Sequence, residues 1–286
     1  SMLGKSLLNP KVIGLSDQLE EVVGASRADR VVIATADRRQ KLPLVPLMTL
    51  GLRGDVAIED SSSFYERLTG KVGTETLRPS WLIFSGKGDR DRFYRRIAGA
   101  VDLIVSSVIL LLALPVMAIV ALAIKLDSEG PVFYIQERVG RHNKTFKILK
   151  FRSMTVDAEK NGAVWAGESD PRVTRIGKIL RTTRLDELPQ LINVVREEMS
   201  LIGPRPERPV FVTELERQIP YYCQRHLVKP GITGWAQVRY RYGASLEDAR
   251  EKLKYDLYYI RNQSPLLDAL IVFETARIVL FGRGAR

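Results

Sequence analysis

Of 286 residues only one is cysteine, Cys223, and only two are histidine, His142 and His226. A single cysteine excludes an internal disulfide framework and suits a reducing compartment. One cysteine with two histidines also falls short of the usual structural zinc ligand sets. Acidic residues are the minority charge: 33 Asp and Glu stand against 44 Lys and Arg, a net charge of +11. That excess points to an anionic partner, whether nucleic acid, phosphorylated substrate or lipid headgroup. Basic residues interleaved with aromatics are sparse outside residues 239–242, so no nucleic acid is expected as partner. No secretory signal pattern opens the chain, and Ser1-Met2 is set aside as an expression remnant. What is present is a hydrophobic content of 45%, enough for one large core or two small ones.

Residues 10–70 alternate short apolar runs with helix-like segments. Val12-Ile13-Gly14, Val31 to Ala34 and Asp55 to Ile58 have strand length, while Ser16 to Ser26 and Ser61 to Leu68 read as helices. The β-α-β order predicts a partial Rossmann-like α/β region at 1–70, part of a parallel sheet whose first half lies outside this chain. It carries neither G-x-G-x-x-G nor a P-loop, which argues against a nucleotide site there. Residues 71–95 are a linker broken by Gly73, Pro79, Gly86 and Gly88, with an apolar patch at Trp81-Leu-Ile-Phe84 and cations at Arg90, Arg92, Arg95 and Arg96.

Val101 to Ile124 is the most apolar stretch. A straight helix of that length would measure about 36 Å at ~1.5 Å per residue, more than the ~30 Å hydrocarbon core. Pro115 interrupts it, and proline kinks a helix. Cationic residues flank both ends, Arg95 and Arg96 before, Lys125 after, and such flanks prefer the cytoplasmic side. A re-entrant hairpin over 96–127, kinked at Pro115, satisfies both flanks. A tilted span and a buried core hairpin are the alternatives.

The catalytic candidates lie in 128–286. Arg181-Thr-Thr-Arg-Leu-Asp-Glu-Leu-Pro189 sets Asp186 and Glu187 side by side, with Arg181 and Arg184 before them and Pro189 after. Proline in a first helical turn costs nothing, so the two acids mark a helix start, where anions are favoured. Acids and arginines at such a place suit phosphate chemistry with a shared metal; an N-cap with a surface ion-pair cluster is the alternative. Two adjacent acids cannot flank one glycosidic bond at the ~5–9.5 Å such hydrolases need. Lys144 to Met154 alternates apolar and basic residues as a half-buried strand does. Arg172, Arg175, Lys178, Arg181 and Arg184 recur every third residue, a cationic helical stripe suited to a lipid phosphate or headgroups. Gly203-Pro-Arg-Pro206 is a stiff loop presenting Arg205. Val228 to Val238 reads as a rigid turn and a strand. Ser245-Leu-Glu-Asp248 has capping-box form, and Leu266 to Phe281 reads as an amphipathic, interfacial helix.

Val132-Phe-Tyr-Ile-Gln-Glu-Arg-Val-Gly140, Lys150-Phe-Arg-Ser-Met154, Leu185-Asp-Glu-Leu-Pro-Gln-Leu191, Gly203-Pro-Arg-Pro206 and Lys229-Pro-Gly-Ile-Thr-Gly-Trp-Ala-Gln237 together resemble the bacterial sugar transferases, the monotopic polyprenyl-phosphate phosphoglycosyl transferases. The resemblance runs from about Arg95 to Arg286; residues 10–84 look like the soluble α/β region of longer members. It implies an enzyme that moves a sugar-1-phosphate from a UDP-sugar to undecaprenyl phosphate and releases UMP. It assigns the nucleophile to Asp186, Mg²⁺ binding to Glu187 and the lipid-phosphate contact to Arg181. Arg184, Arg205, Lys150, Arg152 and Arg225 complete the expected substrate-binding set. It also implies the cytoplasmic face of a bacterial inner membrane, contact with inner-leaflet phospholipids, and an α/β catalytic domain with mixed α+β character; a homodimer is left open. Two departures stand out. Leu114-Pro115 replaces the frequent Ser-Pro at the helix break, and Arg239-Tyr-Arg-Tyr-Gly243 replaces Asn-Gly-Arg.

Overall fold

A computed structural model describes residues 12–35, 42–74, 89–158, 170–240, 243 and 245–281. Trp81 to Phe84, most of the expected linker, and residues 241 and 242 lie outside them. The protein is mixed α/β, mostly helical, with small sheets, and it divides into two compact units, Ser1–Gly73 and Thr74–Arg286.

In the first unit a 3-10 turn (Ser16–Gln18) leads into α1 (Leu19–Ser26), followed by β1 (Arg30–Ile33), α2 (Leu44–Arg53), β2 (Ala57–Asp60) and α3 (Ser61–Thr69). β1 and β2 pair in parallel, Arg30 opposite Ala57 and Ile33 opposite Asp60. Antiparallel strands close with a tight turn, but parallel ones need a crossover, and α2 supplies it, burying Leu47 and Leu50. Two expectations shift. Val12-Ile13-Gly14 forms no strand, since β1 and β2 use each other as partners, and the second strand begins at Ala57 rather than Asp55.

The second unit opens with α4 (Asp89–Asp127), 39 residues with Pro115 inside. Over Phe93–Asp127 it is long and apolar enough to cross a membrane. Ile104, Leu111, Leu112, Ile119 and Leu122 are all more than 60% exposed, an apolar surface that water disfavours and lipid accepts. The helix is continuous through Pro115, because proline withholds one N–H while neighbouring bonds persist, and a helix that continues through proline can still bend there.

β3 (Phe133–Val139) and β4 (Thr145–Phe151) form an antiparallel hairpin. Then come α5 (Arg175–Thr183), a 3-10 turn (Leu185–Glu187), α6 (Gln190–Val195), β5 (Ser200–Ile202), α7 (Pro209–Gln218), a 3-10 segment (Tyr222–Leu227), β6 (Gly231–Thr233), α8 (Trp235–Arg239), α9 (Leu246–Asn262) and α10 (Pro265–Phe281). β5 and β6 pair in parallel. The expected strand after residue 228 is thus only three residues, and Trp235 to Arg239 turn helical, burying Trp235 and Ala236 against Tyr255, Tyr259 and Ile271. Ser245 and Asp248 cap α9 reciprocally, as the sequence indicates. α10 is not amphipathic in the expected sense. Leu266, Phe273 and Leu280 are exposed while Asp268 bonds inward to Tyr259 at 3.1 Å, so a carboxylate faces protein and large apolar groups face out. That inversion suits a lipid surrounding.

Both ends of α4 are tied to this one unit. Tyr94 donates to Asp268. Asp102 accepts from the Ser200 hydroxyl at 2.6 Å and the Leu201 amide at 3.2 Å. Asp127 accepts from the Ile176 amide at 3.2 Å. Between them Met117, Val120 and Ile124 bury against Phe151 and Leu180.

Candidate active site

α5 begins where Thr174 accepts a hydrogen bond from the Gly177 amide at 2.9 Å, an N-cap of the usual kind. Gly177 is required by packing. A Cβ there would lie 2.0 Å from the Ser153 carbonyl oxygen, so only glycine lets α5 approach the end of β4 so closely. That approach puts the Ser153 hydroxyl 2.9 Å from Arg181 Nε. α5 ends at Arg184, whose left-handed backbone (φ 59°) turns the chain abruptly into Leu185–Glu187. The two acids therefore stand on a tight turn before α6 rather than in its first turn, with Pro189 at its N-cap.

Glu187 Oε1 accepts from Lys150 Nζ at 3.0 Å and Arg205 Nη2 at 3.3 Å. Burial would raise its pKa, but Lys150, Arg205 and Arg184 outweigh burial and hold the carboxyl well below the usual range. Asp186 is the opposite case. It is buried, at 8% exposure, and desolvation pushes its pKa up, with Glu187 adding repulsion, against the pull of Lys150, Arg205 and Arg181. Adjacent carboxyls with pKa values driven apart are a recurring mark of acid, base or nucleophile work.

The fold thus gathers Lys150, Arg181, Arg184, Arg205, Asp186 and Glu187. Arg152 and Arg225 also carry structural bonds, and Arg225 lines the cleft beside the pair. Arg152 is buried and donates to the carbonyl oxygens of Glu129 and Ser128, the latter at 2.8 Å, fastening the segment that leaves α4. Arg225 is buried against Asp256, with Nη2 2.8 Å from Oδ2. Asn193 was not anticipated. Its side chain accepts from Leu149 N at 3.0 Å and donates to Lys147 O at 2.8 Å, locking α6 to β4 and so the acidic turn to Lys150. The available signal was one fully buried polar residue inside the apolar run Leu191 to Val195.

A cleft of about 1300 Å³ opens beside the pair. Its lining includes Arg184, Glu187 and Arg205 and also Val105 and Ile109 of α4 and Val279 of α10. Ionic and exposed apolar groups thus share one cavity. Lys252, Gln237 and Arg239 also line it; Gln237 ends the Lys229 to Gln237 motif and Arg239 opens the 239–243 departure, while nothing local marks Lys252 on α9.

A carboxylate pair ringed by cations opens on a cleft walled in part by a long apolar helix. The bacterial sugar transferase family profile matches residues 93–282, and the chain belongs to that family. It is 47% identical over 221 residues, 77% of this chain and 52% of the relative, to a UDP-N-acetylgalactosamine-undecaprenyl-phosphate N-acetylgalactosaminephosphotransferase of Aeromonas hydrophila. A UDP-glucose:undecaprenyl-phosphate glucose-1-phosphate transferase of Escherichia coli K12 is 45% identical over 183 residues, 63% of this chain and 39% of the relative. An undecaprenyl-phosphate glucose phosphotransferase of Komagataeibacter xylinus is 47% identical over 187 residues, 63% of this chain and 35% of the relative. The chain spans between about a third and a half of the length of these curated relatives.

Proposed function

We propose that this protein transfers a sugar-1-phosphate from a UDP-sugar to undecaprenyl phosphate, in two displacements at Asp186. The observation that carries this reading is the Asp186–Glu187 turn, held among Lys150, Arg181, Arg184 and Arg205 at a cleft part ionic and part apolar. The names of relatives 45–47% identical support the substrates. An Asp186 oxygen attacks the phosphorus that bears the sugar. The bond from that phosphorus to the bridging oxygen breaks, and UMP leaves with the electron pair. An oxygen of undecaprenyl phosphate then attacks the same phosphorus, and Asp186 departs as a free carboxylate. Two steps let a soluble donor leave before a lipid acceptor enters.

Burial makes Asp186 a poorly solvated nucleophile, and the surrounding cations lower the repulsion between it and the incoming diphosphate. Arg181, on the α5 stripe, is assigned to the lipid phosphate; Lys150 and Arg205 are assigned to the donor diphosphate. Glu187 fits Mg²⁺: one ionised carboxylate together with substrate phosphates and waters is its usual donor set. When bound, the ion neutralises diphosphate charge. Among the described residues no group of three His, Cys, Asp or Glu forms a separate metal cage.

The topology proposed is entry and exit of α4 on the cytoplasmic face of the inner membrane, among inner-leaflet phospholipids. Tyr94 and Asp127 are 33 residues apart, about 50 Å along a straight helix, more than the ~30 Å core. A straight crossing would put them on opposite sides, yet both bond within the same catalytic unit. UMP release across a panel of UDP-sugars, with undecaprenyl phosphate and Mg²⁺ in detergent, tests the reaction. Failure to release UMP from any UDP-sugar in the panel would refute it.

A further inference from the structure

Pro204-Arg205-Pro206 cannot secure itself. Two of its three residues lack an N–H, so its geometry depends on donors from elsewhere reaching its carbonyl oxygens. All three carbonyls have one. Pro204 O accepts from the Gly231 amide at 2.9 Å. Arg205 O accepts from Arg225 Nη2 at 2.9 Å. Pro206 O accepts from Arg138 Nη1 at 3.1 Å. Arg205 in turn reaches Glu187 at 3.3 Å.

We propose that Arg138 and Arg225 are positioning residues, whose work is to hold the Pro204–Pro206 backbone so that the Arg205 guanidinium is fixed at the Asp186–Glu187 pair. Each guanidinium is itself immobilised. Arg225 Nε and Nη2 bond Asp256 Oδ2 at 3.1 and 2.8 Å, and Nη1 donates to the Tyr222 hydroxyl at 2.8 Å. Arg138 Nη2 donates to Gln136 Oε1 at 2.6 Å, and the Val139 amide after it donates to Glu207 O at 2.9 Å. β3 thus grips the loop on one side and the Tyr222–Leu227 segment on the other. Stability alone is a weak reason to bury the Arg225–Asp256 pair, because desolvation offsets much of its Coulomb gain. Fork geometry gives a better one: a planar guanidinium holds a carboxylate and a carbonyl in one rigid arrangement, which the compact, rotatable ammonium of lysine does not fix.

The activity readout of this proposal rests on the transferase reading; the exchange readout does not. The test uses the full chain in detergent, with Arg225→Lys and Arg138→Met each made alone and in an Arg205→Ala background. Arg225→Lys keeps a cation opposite Asp256, so no buried charge is stranded. Each single variant is expected to lose about 10- to 100-fold in kcat/KM for UMP release, the scale of an ångström-sized misplacement. In the Arg205→Ala background the same changes are expected to cost no more than about twofold, since there is no Arg205 side chain left to position. Amide exchange is expected to speed up in the peptide 203–208 and at the Gly231 and Val139 amides that donate into it. Equal losses in both backgrounds, or unchanged exchange at 203–208, would overturn the proposal. Should Arg225→Lys not fold, Arg138→Met decides alone. Should the wild-type protein release no UMP from any UDP-sugar, the transferase reading fails and the exchange comparison still decides the clamp.

Discussion

Neutralising either member of the Asp186–Glu187 pair removes one negative charge, yet the two substitutions are expected to shift stability differently. Glu187→Gln breaks contacts to Lys150 and Arg205 at 3.0 and 3.3 Å, with side chains only 12, 15 and 26% exposed. Breaking a fully buried pair costs about 3–5 kcal/mol; partial water access here and the hydrogen bonds Gln retains reduce that to about 2–3 kcal/mol. At ~2–4 °C per kcal/mol for a domain of this size, melting should fall by about 4–12 °C. Asp186 has a raised pKa, so its neutral form is the one the fold favours. Its contribution to stability is present below the unfolded value of about 3.9 and is lost as pH rises through the folded value. Asp186→Asn is neutral at every pH, so at pH 7 melting should stay level or rise. Turnover should nevertheless fall by about a thousandfold or more, because the nucleophile is gone. The assays are thermal unfolding in detergent at pH 7 and UMP release on the same preparations. Asp186→Asn melting as low as Glu187→Gln, or keeping a tenth of wild-type turnover, would refute the reasoning.

Arg181→Ala is expected to slow transfer to undecaprenyl phosphate more than UMP release in a single turnover; equal loss in both would move Arg181 to the donor. UMP release should rise with pH along an acid limb centred above about 3.9, the ordinary aspartate value, because Asp186 must ionise from a raised pKa; a limb centred below it would contradict burial as the cause. Glu187 adds stability above its unfolded value of about 4.3, lost as pH falls through its lowered folded value, so Glu187→Gln should narrow its stability gap to wild type in strong acid. Single cysteines at Arg96 and Glu129, in a Cys223→Ser background, should both resist an impermeant thiol reagent added outside intact cells; labelling at one site alone would establish a crossing helix.

How much was legible follows from the range of the interactions. Strand β4, helices α1, α3 and α9, and the long apolar α4 were readable because periodicity and caps are local properties. Asp186 and Glu187 stood out for the same reason: the acids, arginines and proline that frame them lie within nine residues. Their unlike electrostatics were not readable. Lys150 lies 37 residues from Glu187 and Arg205 lies 18 away, and only β4 and the Pro204–Pro206 loop bring them to one oxygen. Likewise every arginine near a motif looks like a phosphate ligand in one dimension. In three, Arg152 is seen to fasten two carbonyls, and Arg225, while lining the cleft, pairs with Asp256, 31 residues away. The Leu266 to Phe281 helix shows the same limit from another side: its sequence reads as amphipathic, but only packing against Tyr94 and Tyr259 turned Asp268 inward. Local sequence determined the elements and the reacting pair. Tertiary structure decided which charges reach that pair, because a pKa depends on burial and on neighbours a few ångströms away, whatever their distance along the chain.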